Sequence, residues 1–311
     1  MSALICGSFA YDNIMVFPDQ FKNHILPDKV HMLNVSFLVP ELRREFGGCA
    51  GNIAFNMKML GDEPVPMGTV GSDFATYAAW MDKYAINRRH VHVKEDHFTA
   101  QAYITTDIDD NQITAFHPGA MNLAHETKIS EAQNIQLGII APDGRDGMIQ
   151  HAQQFADAGT PFIFDPGQGL PMFNGEDLLQ FARQASYIAL NDYEAQLFED
   201  RTGLPPEEIA KLVKALIITR GAQGSYIYTE GKRIDIPCAK AEEIVDPTGC
   251  GDAYRAGLLH GILHGKDWEI TGRIASLLGA IKIEQHGTQN HQFTSESFAE
   301  RFEQNFGMQL G

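Results

Sequence analysis

The chain has 311 residues, 44% hydrophobic and 21% charged, with 29 glycines and a formal net charge of -16. That composition is that of a globular, ordered protein, and the length suffices for one large α/β domain or two ordinary ones. The acidic balance opposes non-specific binding to nucleic acid or to anionic membranes, but a local nest of amides can still hold a small phosphate.

The first residues form a short apolar run without a basic segment before it, so Ala3–Gly7 reads as a strand and not as a signal peptide. No stretch approaches a membrane span. The four cysteines, Cys6, Cys49, Cys238 and Cys250, have no CxxC spacing, which gives zinc and thioredoxin-like readings no support. Reduced thiols in a cytoplasmic protein are expected.

Further strands are predicted at Val65–Val70, Leu137–Ala141, Pro161–Asp165, Tyr187–Asn191 and Ala215–Thr219. The last is almost continuously apolar, as in a strand covered on both faces. Helical patterns fall between them, at Ala50–Leu60, Phe74–Tyr84, Asp146–Ala158, Glu176–Gln184, Asp192–Asp200 and Pro206–Val213. Strand–helix alternation predicts a three-layer α/β/α domain with a mostly parallel central sheet.

Two insertions, about 13–44 and 90–117, interrupt the rhythm. In the second, Gln101–Thr106 and Gln112–His117 alternate around Asp109-Asp110-Asn111, a hairpin signal. A small antiparallel lid over the sheet accounts for both insertions. Another hairpin, Ser225–Thr229 with Arg233–Pro237, reads as an extension of the sheet edge, and the long helices Gly251–Leu263 and Glu269–Glu284 follow it.

Asp246-Pro247-Thr248-Gly249-Cys250-Gly251-Asp252 links an extended segment to the first of these helices. Gly249 and Gly251 allow a tight loop whose amides, with those of Cys250, sit at a helix N-terminus suited to an anion. A carboxylate there, Asp252, can take a proton from a hydroxyl that attacks a phosphoryl group. It can equally cap the helix, and the local chemistry leaves both readings open.

At this point the sequence resembles the ribokinase-like (PfkB) family of carbohydrate and nucleoside kinases. The family's signature is close to Asp-Thr-Thr-Gly-Ala-Gly-Asp-Ala-Phe; here Pro247 and Cys250 vary at spacer positions. Four more motifs follow the family in order: Gly47-Gly48-Cys49-Ala50-Gly51-Asn52, Gly68-Thr69-Val70-Gly71-Ser72-Asp73, Asn191-Asp192-Tyr193-Glu194 and Thr219-Arg220-Gly221-Ala222-Gln223-Gly224.

The resemblance implies a single ribokinase-like domain spanning 1–311 and makes Asp252 the general base, with the amides of Gly249, Cys250 and Gly251 as the anion hole. It assigns Asp12, Gly47, Gly48 and Asn52 to the acceptor's sugar. Glycine lets backbone approach a sugar closely, and an Asn amide offers both a donor and an acceptor. A turn residue is the plain alternative for Asp12. Asn191, Thr219, Gly221 and Gly224 are expected along ATP, with Glu194 holding Mg²⁺ through water. A strand end and helix start would also explain Asn191 and Glu194.

Adenine is expected near Ala280, Ile283, His286, Gly287 and Gln289. A helix-end role is the alternative for His286. Asp246 and Thr248 match positions where many family members bind K⁺. Cys49 and Cys250 lie near helix starts, where a thiol pKa can fall, although small spacers are the plainer reading.

Asn111–Met121 contains Pro118-Gly119-Ala120-Met121, which resembles bacterial and archaeal adenosine or nucleoside kinases, and Phe116 beside it can stack on a purine or pack the lid. Adenosine is therefore the expected acceptor, with ribose or fructose as the alternative. A homodimer through the lid and a monomer both fit. No GxGxxG follows the first strand and no GxxxxGK[ST] occurs, which argues against dinucleotide and P-loop enzymes. A non-catalytic nucleoside-binding regulator on the same fold is the rival from another class.

Overall fold

The computed structural model describes residues 2–25, 34–109 and 111–310. Asp110 and 26–33, which belong to the expected hairpin loop and first insertion, lie outside the described residues.

The large sheet has nine strands. They are β1 (Ala3–Cys6), β4 (Val65–Gly71), β5 (His90–Lys94), β8 (Leu137–Ile140), β9 (Phe162–Phe164), β10 (Tyr187–Asn191), β11 (Ala215–Thr219), β12 (Ser225–Thr229) and β13 (Lys232–Ile236). Their order is β13-β12-β11-β10-β9-β8-β1-β4-β5. The strands from β5 to β11 pair in parallel, and the β12–β13 hairpin adds an antiparallel edge.

Side-chain alternation divides the core in two. Ala3, Ile5, Ala189 and Ile217 face a layer built from α1 (Cys49–Met59), α2 (Ala75–Lys83), α7 (Cys250–Leu263), α8 (Trp268–Ile283) and α9 (Ser295–Phe306). Leu4, Cys6, Leu190 and Leu216 face α3 (Arg145–Ala158), α4 (Gly175–Gln184) and α5 (Asp192–Thr202). Both faces are therefore dry, which is why these strands read as apolar runs.

Two elements depart from expectation. The helix expected at Pro206–Val213 is only α6 (Pro206–Ile209), and α9 was not anticipated. Thr294 and Ser297 form its reciprocal cap, and buried Phe298 and Phe302 anchor it.

The small sheet comprises β2 (Ala10–Val16), β3 (Glu41–Gly47), β6 (Ala100–Thr106) and β7 (Gln112–His117), in the order β3-β2-β6-β7. Two antiparallel pairs, β2–β3 and β6–β7, join side by side through a parallel β2–β6 contact. The second insertion contributes less to this lid than expected. Its first strand, β5, pairs with β4 and widens the large sheet.

The lid's root is rigid. Asp73 accepts hydrogen bonds from the Thr99 amide at 2.7 Å and from the Gln101 side chain at 3.0 Å. A Cβ at Gly71 would lie 2.2 Å from the Phe98 carbonyl carbon. The Gly68–Asp73 motif thus joins lid to body, and only glycine permits the backbone approach at position 71.

Helices α1 and α7 lie side by side in the same direction. Asn52 and Asp252 meet at their N-terminal ends, and Asp62 meets His260 and His264 at their C-terminal ends, at 2.8 Å each. Both positive helix ends therefore point to one place.

Candidate active site

Asp252 stands in the first turn of α7, after Gly249 in the left-handed conformation, φ 80°. Its Oδ2 accepts a hydrogen bond of 2.8 Å from the Asn52 amide. Burial raises its pKa to about 6; the Asn52 bond opposes this and the charge of Asp165 adds to it. A carboxylate near pH 6 is ionised at neutral pH yet still basic enough to take a hydroxyl proton in flight.

The N–H groups of Gly251 and Asp252 belong to the first helical turn and find no carbonyl within it. Gly251 is exposed, and a Cβ there would meet nothing nearer than Arg255 Nη1 at 4.0 Å. Open space in front of free amides is what a phosphate requires.

Behind Asp252 lies a group the sequence did not announce. Arg255, one turn along α7, is buried and bonds Asp165 at 3.0 Å, with Glu194 at 3.9 Å. Asp165 follows β9 at its carboxyl end, and burial raises its pKa against the pull of Arg255. A polar residue closing an apolar strand and a charge three positions after Asp252 were the available signals. Nothing in the sequence paired them.

Asn191 and Glu194 cap α5 reciprocally: the Glu194 amide donates to Asn191 Oδ1 at 2.7 Å and the Asn191 amide to Glu194 Oε2 at 2.8 Å. Burial, then Asp165, raises the Glu194 pKa, and Arg255 restrains it. Three carboxylates, Asp165, Glu194 and Asp252, thus share one guanidinium. Among the described residues their oxygens do not converge into a direct ligand set, so a hard divalent cation would be held here only through water.

On the lid, register places Glu45, Asp12, Ala102 and Phe116 in one cross-strand row. They share a face. Burial, then Glu45 and Asp246, raises the Asp12 pKa to about 6, so Asp12 lies within electrostatic reach of the anion loop. A Cβ at Gly47 would lie 2.4 Å from Asp12 Oδ2. Gly48, at φ 85°, starts α1 so close to Phe9 that a Cβ would come within 2.5 Å of its Cα. Phe116 is 52% exposed, so it does not pack the lid's interior.

Several expectations change. Asn52 was expected to offer a donor and an acceptor. Its Oδ1 already accepts from Thr288 at 2.7 Å and Gln289 at 2.9 Å, which leaves one N–H. Gln289 is spent on Asn52, Tyr77 and Trp80 and is buried, and Ala280 is buried in α8, so both present little surface to adenine. Ile283 uses its carbonyl on the amides of Val245 and Asp246; His286 is exposed.

Thr219 donates to the Leu190 carbonyl at 3.3 Å. Gly221 faces open space, whereas Gly224 packs its Cα against Ile236, where a Cβ would lie 2.1 Å from the carbonyl oxygen. The thiols are not activated. Burial raises the Cys250 pKa to about 11 and that of Cys49 well above its ordinary value.

The monovalent-cation positions do not fit a metal ion. Asp246 Oδ1 accepts the Thr248 amide and Oδ2 the Gly287 amide, each at 2.9 Å. The Asp246 carbonyl accepts Lys282 Nζ at 2.7 Å. Each of these oxygens already accepts a hydrogen bond from the protein itself.

The model of the pfkB family carbohydrate kinases matches residues 11–294. The chain belongs to this family. As a member of it the chain is a phosphotransferase acting on a hydroxyl group. It is 34% identical to a nucleoside kinase of Methanocaldococcus jannaschii over 273 residues, 87% of this chain and 89% of that one. The structure of a Burkholderia thailandensis nucleoside kinase in complex with inosine superimposes with a TM-score of 0.90 at 52% identity, covering 99% of both chains. The ADP-inosine complex of that protein gives 0.88 at 54% identity, over 99% and 97%. Among the described residues, no helix is long and apolar enough to cross a membrane.

Proposed function

We propose that this pfkB kinase transfers the γ-phosphoryl group of ATP to the 5′-hydroxyl of a purine nucleoside, with adenosine, giving AMP, and inosine as its acceptors. The observation that carries the reading is Asp252: a carboxylate with its pKa raised to about 6, at a helix N-terminus beside open amides. The similarity to nucleoside kinases, one of them crystallised with inosine, selects the acceptor class.

Asp252 takes the 5′-hydroxyl proton as that oxygen attacks the γ-phosphorus; the bond to the β–γ bridging oxygen breaks and ADP leaves. The amides of Gly249 and Gly251, with that of Asp252, receive the negative charge; the Cys250 amide, expected to join them, already donates to the Pro247 carbonyl at 3.2 Å. Asp12 accepts hydrogen bonds from the ribose hydroxyls over Gly47, the remaining Asn52 N–H reaches a third oxygen, and Phe116 stacks on the base from the lid. ATP lies along Asn191, Thr219 and the open Gly221 turn, with adenine toward Ile283 and His286. Mg²⁺, when bound through water at Glu194, supplies charge neutralisation between the phosphates.

The lid face opposite Asp12 exposes Leu42, Tyr103 and Ile113, and a second copy of this chain covers them. The reaction belongs in the cytoplasm, where ATP is abundant and the four free thiols stay reduced.

The test is ADP release over adenosine, inosine, guanosine, cytidine, ribose and fructose. Turnover with purine nucleosides and none with free sugars is expected. Turnover with ribose or fructose alone would make it a sugar kinase, and ATP binding without turnover on any acceptor would leave a regulator.

A further inference from the structure

Lys282 lies in the last turn of α8, within the apolar run Ala280-Ile281-Lys282-Ile283, and is fully buried. A buried ammonium is costly unless polar partners replace its water. Its partners are main-chain oxygens: Nζ donates to the carbonyl of Asp246 at 2.7 Å and to that of Gln285 at 3.2 Å. No carboxylate oxygen lies within ion-pairing distance of it among the described residues. Burial lowers its pKa, the charges of Asp246 and Glu45 favour the ammonium form, and no direct ion pair consumes that charge.

That charge acts on the anion loop. It lowers the pKa of the Cys250 thiol against the larger effect of burial, and it helps to keep Asp246 ionised. Cys250 lies between Gly249 and Gly251 in that loop, and its own amide donates to the Pro247 carbonyl at 3.2 Å. A carbonyl-caged positive charge beneath this loop is what a dehydrated K⁺ would provide, because K⁺ is held by rings of carbonyl oxygens. Here the Asp246 carbonyl serves Lys282, and both carboxylate oxygens of Asp246 serve amides.

We propose that Lys282 is a built-in cation that takes the place of a monovalent metal ion. It fixes the Asp246–Gly251 loop by holding the Asp246 carbonyl and lends that loop positive charge during phosphoryl transfer. It is a positioning residue, since it touches no reacting atom. The kinase is then indifferent to K⁺, contrary to what Asp246 and Thr248 suggest by sequence. This proposal rests on the phosphoryl-transfer reading of the loop.

The experiment measures ADP release with inosine in sodium, potassium, caesium and tetramethylammonium chloride at constant Mg²⁺ and ionic strength. Wild type, Lys282→Met and Lys282→Gln are compared, with a thermal melt of each in K⁺ and in tetramethylammonium. Wild type should show the same kcat and the same melting temperature in every salt. The variants should lose about 10²–10³-fold in kcat, the scale of one removed charge-stabilising group. K⁺ or added NH₄⁺ should restore part of that loss and raise their melting temperature, and tetramethylammonium, too large for the cage, should do neither.

Stimulation of wild type by K⁺ would overturn the proposal, as would folded variants with unchanged kcat or with a loss that no small cation relieves. If both variants fail to fold, the salt response of wild type still decides. Absence of any ADP release by wild type on every acceptor refutes the kinase reading itself, a result distinct from K⁺ dependence.

Discussion

The Asn52 side-chain amide holds the Asp252 carboxylate at 2.8 Å across 200 positions of sequence. The bond joins the starts of α1 and α7, so the lid-side and phosphate-side halves of the site share one hydrogen bond. It also restrains the basicity that burial confers on Asp252.

Asp252→Asn keeps the shape and removes the proton acceptor. Turnover should fall by about 10²–10⁴-fold, the usual worth of a general base, with nucleoside and ATP affinities little changed. Steady-state kinetics and calorimetric titration of both ligands check this. Turnover within a few-fold of wild type would remove Asp252 from the chemistry.

The base must be ionised to act, so kcat/KM should rise with pH through about 6 and level off above it. Because Asn52 lowers the Asp252 pKa, Asn52→Leu should move the midpoint upward as well as reduce the rate. The linkage sign for stability is the opposite of that for activity. Asp252 and Asp12 have pKa values raised to about 6, so they favour the folded state below the unfolded carboxylate pKa, and that stability is lost as pH rises through 6. Asp252→Asn should therefore melt no lower than wild type at pH 8. A pH–rate profile and melts at pH 4 and 8 check both statements.

Arg255→Met should be among the most damaging single substitutions. It leaves Asp165 and Glu194 buried without their shared cation. Breaking such a cluster costs about 3–5 kcal/mol. Adding Asp165→Leu should recover part of the loss. Denaturant unfolding of wild type and the two variants measures it, and a single variant as stable as wild type would contradict the ion cluster.

Gly47→Ala places a methyl group 2.4 Å from Asp12 Oδ2. The carboxylate must turn away, so KM for the nucleoside should rise about tenfold or more, equivalent to about 1.4 kcal/mol, while KM for ATP stays the same. An equal change in both would place Asp12 elsewhere.

Replacing the exposed Leu42 and Tyr103 by Glu should convert a dimer to monomer if the lid's outer face is the contact between copies. Light scattering after size exclusion reads the mass directly. A dimer that survives both changes would place the contact elsewhere.

The sequence by itself determined the parallel body of the large sheet and the place of the Asp246–Asp252 loop. Period-two and near-continuous apolar runs are local, and β10 and β11 begin and end where those runs do. Gly249 and Asp252 stood out because a turn and a helix start leave a local mark as well. The lid was half legible: the β6–β7 hairpin showed, but β2, β3 and the allegiance of β5 did not, since their partners lie far along the chain.

What only the tertiary structure decided is who stands beside whom. Asn52 answers Asp252, Arg255 gathers Asp165 and Glu194, and Lys282 donates to the Asp246 carbonyl. Each of these charges is tolerable in the interior only because its partner arrives from another element. Pairing across elements is set by packing, which no local pattern of residues records.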